Sequence, residues 1–511
     1  MLSFILRRIG VSILILIAAS FLMYAMVVVA RDPLEDLYAS NSPNRDQLIQ
    51  QRVDWLGLNQ PIPVRWFNWL LGAARCVVPF AGCDLGVTIQ NQPVTVLLAR
   101  AMGSTLQLVT ASTILAIVLG IIVGIVSALR QYSAIDYTFT FASFLFYSLP
   151  SFVMAVLLKV FVALTFNDWL AEPVFTWPFI IVASLLMGVF LQAMVGGPRS
   201  RRLITFGAGA VVSIVILYFM SVTAWFLDPA LGPVVAPLLI AAFAAAMVVM
   251  IAGARARYAW RTAGATAIVV IICYFALQPV LAGWGGWGVV GLFVFALVVG
   301  LVAGWLLGEY DKGQAMRIGA LSGLLGAGVI VLDQFLQHWN SYLRNPRVRG
   351  RPIGTVGAET PNLNGDFWIS GIDSFTHLLL PTISLMLISF AGYTRYARGG
   401  MLETLNQDYI RTARAKGLPE RTVVVRHALR NSLIPITTIV AADVGALIGG
   451  AIITERIFAF SGMGALFDSG LGRGDPNPVM AYFIVIAIFA ITFNFLADLA
   501  YSAIDPRVRV K

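Results

Sequence analysis

The chain has 511 residues, of which 59% are apolar and 12% are charged. Soluble domains are about half apolar and about one quarter charged, so this composition excludes a soluble enzyme, a coiled coil and a disordered scaffold. It predicts an all-α polytopic membrane protein. The net charge is +10, and because basic residues accumulate on the cytoplasmic side of membrane proteins, no nucleic-acid partner is needed to explain it.

Twelve apolar runs are each long enough to cross a bilayer, which takes about 20 residues of helix. The first run follows Arg7 and Arg8 and exceeds the apolar core of a signal peptide, so residues 1–30 are predicted to form a retained transmembrane helix. The other runs cover residues 104–129, 138–166, 177–197, 203–227, 234–253, 264–282, 287–308, 315–336, 377–394, 432–453 and 479–501. Twelve spans place both termini and most basic loops on the cytoplasmic side.

Two regions between these runs are predicted to lie outside the membrane. Residues 31–100 are polar and contain several Trp and Pro residues, which predicts a small extracytoplasmic domain. Cys76 and Cys83 lie in it, and because the outside is oxidising, we expect them to form a disulfide. Residues 337–376 form the second region, an extracytoplasmic loop whose four arginines run against the positive-inside rule that the other loops obey.

The segment 395–431 is polar although apolar runs flank it. Residues 395–430 contain eight Arg or Lys residues against three Asp or Glu residues. Good helix formers predict one helix over 402–416, ended by Gly417 as its C′ residue, and Pro419 is predicted in the first turn of a second helix. By these features alone, the segment is either a positively charged hairpin on the membrane surface or a docking element for a partner protein.

Ionisable residues in or beside the spans are the other functional candidates. Asp443 lies mid-span and is a candidate for the translocation path, the alternative being a hydrogen bond between helices. Lys159 is predicted to extend towards the outer surface, and Glu455 and Arg456 to form a solvated pair at the outer end of their span. The three histidines and three cysteines have no spacing typical of a metal site, and no G-x-x-x-x-G-K-[ST] phosphate loop occurs.

The polar segment resembles the EAA loop of ABC-transporter permeases, in the version found in the B-type subunit of the dipeptide/oligopeptide/nickel importer family. The matching residues are DYIRTARAKG at 408–417, RHALRN at 426–431 and Ile434-Pro435. Shorter matches occur at residues 6–8, 56–61, 84–86, 148–152, 379–382 and 504–507. The general EAA pattern has Glu where Arg411 stands and Pro where Arg430 stands, and B-type peptide subunits commonly depart in this way.

The resemblance covers residues 1–166 and 377–511 and implies a six-helix permease core. Core helices 2 and 3 are expected in 101–173, and core helices 4 to 6 with the coupling loop 395–431 in 377–511. Residues 174–336 then form about six extra transmembrane helices inserted between core helices 3 and 4. Because six is an even number, the insertion leaves the orientation of the later core helices unchanged.

The resemblance implies a permease subunit, and not an enzyme, of an ATP-driven importer of di- and oligopeptides in the bacterial cytoplasmic membrane. Its expected partners are a homologous second permease, two cytoplasmic ATPase subunits, an extracytoplasmic substrate-binding protein and the lipid bilayer; ATP and Mg would be bound by the ATPases and no cofactor by this chain. The residues implied for ATPase coupling are Asp408, Tyr409, Arg411, Ala413, Arg414, Ala415, Lys416, Gly417, Leu418, Pro419, Arg421 and Arg426. The Asp443 carboxylate could contact the ammonium group of a peptide.

Two other functions stay open at this point. One is an importer of the same family that carries another small solute, such as a metal chelate. The other is a twelve-helix secondary transporter, which would need internal repeats and ion-coupling residues at mid-membrane. No convincing repeat relates residues 1–255 to residues 256–511.

Overall fold

The computed structural model describes residues 2–76, 82–433, 436–437, 439–440, 443 and 451–504. These residues form helices joined by short connections, and their only β pairing is an isolated bridge between Val87 and Pro93. In chain order the helices are α1 (Leu2–Ala30), α2 (Glu35–Tyr38), α3 (Arg45–Leu56), α4 (Ile62–Arg75), α5 (Val94–Leu129), α6 (Ala134–Ser148), α7 (Ser151–Trp169), α8 (Trp177–Val195), α9 (Arg199–Val222), α10 (Gly232–Ile251), α11 (Arg257–Leu281), α12 (Gly286–Leu307), α13 (Lys312–Leu343), α14 (Phe367–Leu405), α15 (Asp408–Ala415), α16 (residues 420–432), α17 (Ile452–Ile457), α18 (Met463–Arg473) and α19 (Pro476–Ile504). The predicted all-α class is confirmed.

Eleven helices in the described part of the chain are long and apolar enough to cross a membrane. The predicted span at 432–453 lies mostly outside the described residues. The predicted run 138–166 is not one helix, because Leu149 and Pro150 have extended backbone and separate α6 from α7. Proline lacks a backbone donor and disfavours helical geometry in the residue before it, which accounts for the break.

Two compact units make up the chain, and the first consists of Met1–Val160, Thr355–Ala358 and Leu378–Lys511. In this unit the predicted extracytoplasmic region is continuous with the spanning helices. Trp69 of α4, Tyr24 of α1 and Met480 of α19 belong to one buried cluster. The indole nitrogen of Trp66 donates a hydrogen bond to the Ser20 hydroxyl at 3.1 Å. The described residues between 31 and 93 are therefore anchored on the spans rather than folded apart from them.

A disulfide in this unit joins Cys76, at the end of α4, to Cys83, with their Cα atoms 4.1 Å apart. The residues that follow Cys83 return to α4, since the Trp69 indole donates to the Leu85 carbonyl at 3.2 Å. A side chain at Gly72 would overlap the carbonyl oxygen of Asp84. Close backbone packing thus holds the residues that follow Cys83 against α4.

The second unit comprises Phe161–Gly354 and Glu359–His377. Its helices α12 and α13 approach so closely that a Cβ atom added at Gly319 would overlap the carbonyl oxygen of Gly300. Small residues allow this approach, which transmembrane helices use for van der Waals packing. One carboxylate, Asp333, is fully buried and accepts hydrogen bonds from Tyr274 and Gln337, both at 2.8 Å. These neutral donors satisfy it, so its evident role is structural.

Candidate functional site

The polar segment begins where α14 ends at Leu405, and the predicted single helix over 402–416 is wrong. Gln407 has extended backbone (φ −72°, ψ 150°), and α15 starts afresh at Asp408. The side chain of Asn406 turns back to donate to the Leu402 carbonyl at 3.0 Å, which satisfies an acceptor at the end of α14. An acidic residue at the start of α15 is favoured by the helix dipole.

Gly417 ends α15 at the position that the sequence predicted. Its φ is +76°, in the left-handed region that glycine adopts without steric cost. The Gly417 amide donates to the Arg414 carbonyl at 2.9 Å and the Leu418 amide to the Ala413 carbonyl at 3.4 Å. This pair of bonds is a Schellman motif, which closes the helix and reverses the chain.

Pro419 opens the second helix of the segment. It stands at the N-cap position with φ −56°, one residue before the helical turn in which it was predicted. The helical residues that follow, α16, include a π-helical stretch at Val423–Ala428. The two-helix hairpin with a Gly-x-Pro corner that the sequence predicted is therefore present.

Two side-chain contacts brace this hairpin. Arg414 before the corner forms a forked ion pair with Glu420 after it, at 3.1 Å and 2.6 Å. The Arg414 guanidinium holds the pKa of the Glu420 carboxyl below its usual value. Near the base, the Asn431 amide donates to the Tyr409 hydroxyl at 2.8 Å. Forked Arg–carboxylate pairs add directional rigidity even where exposure limits their strength.

The buried side of the hairpin packs on the ends of two spanning helices. Ile410 of α15 and Val423 of α16 are fully buried in a cluster with Ala128 of α5 and Met401 of α14. Apolar contacts of this kind are non-directional individually but rigid when close-packed. The hairpin therefore shares a packed core with the ends of α5 and α14.

The opposite side of the hairpin is open to solvent. Of the twelve residues predicted for coupling, Ala413 is buried in the cluster just described and the other eleven are exposed. The exposed surface combines basic groups such as Arg411 with apolar ones such as Leu418, which is 37% exposed. A surface that is both basic and partly apolar on a braced hairpin has the composition of a protein-docking surface.

Beside the hairpin lies a buried ion pair that sequence reasoning missed. Asp136, at the start of α6, receives two hydrogen bonds from Arg398 of α14 at 2.9 Å and 3.1 Å, and a third from the Tyr132 amide. The Arg398 bonds outweigh burial and lower the pKa of Asp136 to about 2. The S-x-x-D spacing from Ser133 marks a helix start, but no local signal indicates a partner 262 residues away.

At the other end of the spans, the predicted solvated pair of Glu455 and Arg456 is wrong. Glu455 is 1% exposed, and its carboxylate accepts from the Thr105 hydroxyl at 2.6 Å and from the Ala465 amide at 3.1 Å. Arg456 instead lies 3.5 Å from Asp468 in solvent. Adjacent residues on a helix point in different directions, so one side chain can be buried while the next is exposed.

The ammonium group of Lys159, which is partly exposed, donates to the Ile457 carbonyl at 2.8 Å, and its extension towards the outer surface stays a prediction. Contact of Asp443 with cargo and its alternative, a hydrogen bond between helices, both stay predictions.

A bundle of spanning helices with a braced polar hairpin on the ends of α5 and α14 defines a polytopic membrane permease. Residues 199–510 match the family described as binding-protein-dependent transport system inner membrane component, and residues 1–109 match the corresponding N-terminal family. The first match covers more than half of the chain, so the chain belongs to the binding-protein-dependent transport family. The predicted resemblance to ABC importer permeases is confirmed, and the chain is a transport component, not an enzyme.

Named relatives agree with this assignment. The oligopeptide transport system permease protein OppB of Mycobacterium tuberculosis is 24% identical over 504 residues, which is 99% of this chain and 98% of that protein. The dipeptide transport system permease protein DppB of Escherichia coli is 44% identical over 236 residues, 43% of this chain and 68% of that protein. The oligopeptide permease AppB of Bacillus subtilis is 43% identical over 154 residues, 30% of this chain and 48% of that protein.

Proposed function

We propose that this chain is the permease subunit of an ATP-driven importer of di- and oligopeptides and forms half of the translocation path with a homologous second permease. The names of the relatives from three genera support a peptide cargo. The family description supports delivery of the cargo by a separate binding protein on the extracytoplasmic side. Two ATPase subunits in the cytoplasm would bind ATP and Mg.

The braced hairpin 408–432 is the observation that carries the coupling proposal. It exposes a basic and apolar surface while its other side is packed on α5 and α14. When the ATPases close on ATP, the surface would move with them and carry the ends of the two spanning helices. We place this hairpin, with both chain termini, in the cytoplasm because the basic residues of the chain concentrate on that side.

The second unit is proposed to be an insertion into the six-helix core. The compact division at residues 160/161 and 377/378 brackets the range 174–336 that the sequence assigned to extra helices. The end-to-end similarity to the mycobacterial OppB includes this range, whereas the similarity to DppB spans 43% of the chain. A role in packing or docking, outside the translocation path, fits the close backbone contact between α12 and α13 in this unit.

A glycine substitution tests the coupling proposal. In Gly417→Ala, the new Cβ atom strains a left-handed residue by about 1–2 kcal/mol and loosens the corner. We expect peptide uptake to fall several-fold, with less ATPase retained when the importer is purified through this chain. The matched control is Gly399→Ala in α14, a helical position where an added Cβ meets nothing within 4 Å.

The two variants separate coupling from general damage. Unchanged uptake and unchanged ATPase retention in Gly417→Ala would overturn the assignment of this hairpin as the coupling element. A loss of uptake in both variants would indicate damage to α14 rather than to the corner, and the hairpin would then lose its special role. Retention of ATPase is read by quantitative blotting of the purified complex.

A further inference from the structure

A cluster of arginines in the second unit has no part in the coupling scheme. Residues 344–351, here called the arginine turn, follow the end of α13 and contain four arginines and no acidic residue. Arg351 pairs with Asp168 at 3.0 Å. Arg344, Arg347 and Arg349 are exposed and make no ion pair with any described residue. Three uncompensated positive charges thus lie within six residues.

The turn is a defined structure. The Asn345 carbonyl accepts the amides of Val348 and Arg349, at 3.0 Å and 3.1 Å, and the Gly350 amide returns to the Leu343 carbonyl at 3.2 Å. Val348 is 7% exposed and packs into a cluster with Tyr342. The backbone is therefore held while the three guanidinium groups are exposed, so binding a ligand does not require the backbone to become ordered.

Aromatic residues of the same unit mark the level of the turn relative to the bilayer. Trp339, five residues before Arg344, donates to the Phe226 carbonyl at 3.0 Å. The Phe226 ring lies 5.1 Å from that of Trp169, which stacks 4.9 Å from Phe175. Tryptophan-rich belts occupy the boundary between hydrocarbon and headgroups. At 1.5 Å per residue, Arg344 lies about 7 Å beyond Trp339, within a headgroup layer about 5–8 Å thick.

From these observations we propose that the arginine turn binds the phosphate groups of anionic phospholipids. Guanidinium groups match phosphate geometry with two parallel hydrogen bonds and are weakly hydrated. Neighbouring phosphates would relieve the mutual repulsion of Arg344, Arg347 and Arg349. The lipid would fasten the outer end of α13 to the bilayer surface.

The leaflet follows from the chain path. Helix α14 is long and apolar enough to cross a membrane and stands between the arginine turn and the hairpin 408–432 in the chain, so we expect the two on opposite sides. Naming the lipid leaflet as the outer one rests on the proposed cytoplasmic position of the hairpin. The lipid contact itself rests on the arginine turn alone and is measured without transport.

Native mass spectrometry of the full chain, titrated with phosphatidylglycerol or phosphatidylcholine in detergent, tests the proposal. Near a membrane surface, each basic residue raises the affinity for anionic lipid by about several-fold. We expect the triple variant R344Q/R347Q/R349Q to bind phosphatidylglycerol about tenfold to a hundredfold more weakly, with phosphatidylcholine binding unchanged. The variant R344K/R347K/R349K, which retains the charge, should keep most of the affinity.

Arg351→Gln is the control within the same turn, because the charge of Arg351 is already paired with Asp168. We expect this variant to change phosphatidylglycerol binding less than Arg347→Gln does. Single variants also provide the test if the triple variant does not fold. Equal phosphatidylglycerol affinity in the wild type and the glutamine variants would overturn the proposal. Unchanged lipid binding combined with weaker binding of the substrate-binding protein would assign the turn to protein docking instead. Neither result depends on the Gly417 variants.

Discussion

At the residue scale, the buried carboxylates of this membrane protein differ in their hydrogen-bond partners. Asp136 is paired with a cation, whereas Asp333 and Glu455 have neutral donors only among their described hydrogen bonds. Asp475, just before α19, accepts from the Ile89 amide at 2.7 Å, and burial raises its pKa to about 6. A basic partner keeps a buried carboxylate ionised, whereas burial beside the Ile89 amide raises the pKa of Asp475.

Asp136→Asn tests the buried ion pair. The substitution leaves Arg398 partly buried without a counter-charge, and we expect the free energy of unfolding at pH 7 to fall by about 2–4 kcal/mol. The folded pKa of about 2 lies below the unfolded value, so the stabilisation is complete above about pH 5 and is lost as the pH falls towards 2. Thermal unfolding of the purified chain, followed from about pH 3 to about pH 7, measures this loss of stability.

Asp46→Asn is the matched control, because Asp46 also faces an arginine but is 94% exposed. Exposed pairs contribute little, so this variant should stay within about 0.5 kcal/mol of the wild type. The stability of the wild type and of Asp136→Asn should converge as the pH falls. Identical unfolding temperatures for the two at neutral pH would contradict the prediction.

At the scale of elements, close helix packing and helix interruption decide the geometry. Helices α12 and α13 meet backbone to backbone through glycines such as Gly300 and Gly319. In the hairpin, the extended Gln407 and the left-handed Gly417 separate three helices that would otherwise continue as one. Glycine thus serves two purposes here, permitting contact between α12 and α13 and ending α15.

Gly319→Ala tests the close approach of α12 and α13. The added methyl group overlaps the Gly300 carbonyl oxygen, and since backbone atoms cannot rotate away, the helices must separate, at a cost of about 1–3 kcal/mol. We expect a lower unfolding temperature and a smaller monodisperse fraction in size-exclusion chromatography. Gly328→Ala on the same helix meets nothing within 4 Å and should be neutral or slightly stabilising. Equal behaviour of the two variants would show that this contact is not tight.

The whole molecule combines two compact units in one chain, and its orientation follows from the alternation of spans. Exposed Glu359 precedes α14 and exposed Lys416 follows it, and because α14 is long and apolar enough to cross a membrane, we expect the two on opposite sides of it. Basic residues concentrate on the Lys416 side, which favours the cytoplasm for that side.

Cysteine labelling checks this orientation. In a Cys273→Ser background the two remaining native cysteines form a disulfide and do not react with maleimides. We expect a membrane-impermeant maleimide to label Glu359→Cys on intact cells and Lys416→Cys only after the membrane is opened. The reverse pattern would place the hairpin 408–432 outside and remove it from any contact with cytoplasmic ATPases. Purified protein in detergent, where both positions are accessible, supplies the control for reactivity.

The sequence by itself determined the class of protein, ten of the eleven spans within the described residues, and the Gly417–Pro419 corner. Each depends on a property that acts over a few residues: apolar length, the left-handed preference of glycine, or the fixed φ of proline. The break at Pro150 also follows from a property that acts over a few residues, but the sequence prediction missed it.

Only the tertiary structure decided which distant groups meet. It paired Asp136 with Arg398, buried Glu455 against Thr105, and joined Trp69 to the spanning helices in one core. No local preference encodes these outcomes, because a side chain is buried or exposed according to the helix that packs against it. That choice depends on the burial and hydrogen bonding of the whole assembly of helices, which residue spacing along one segment does not contain.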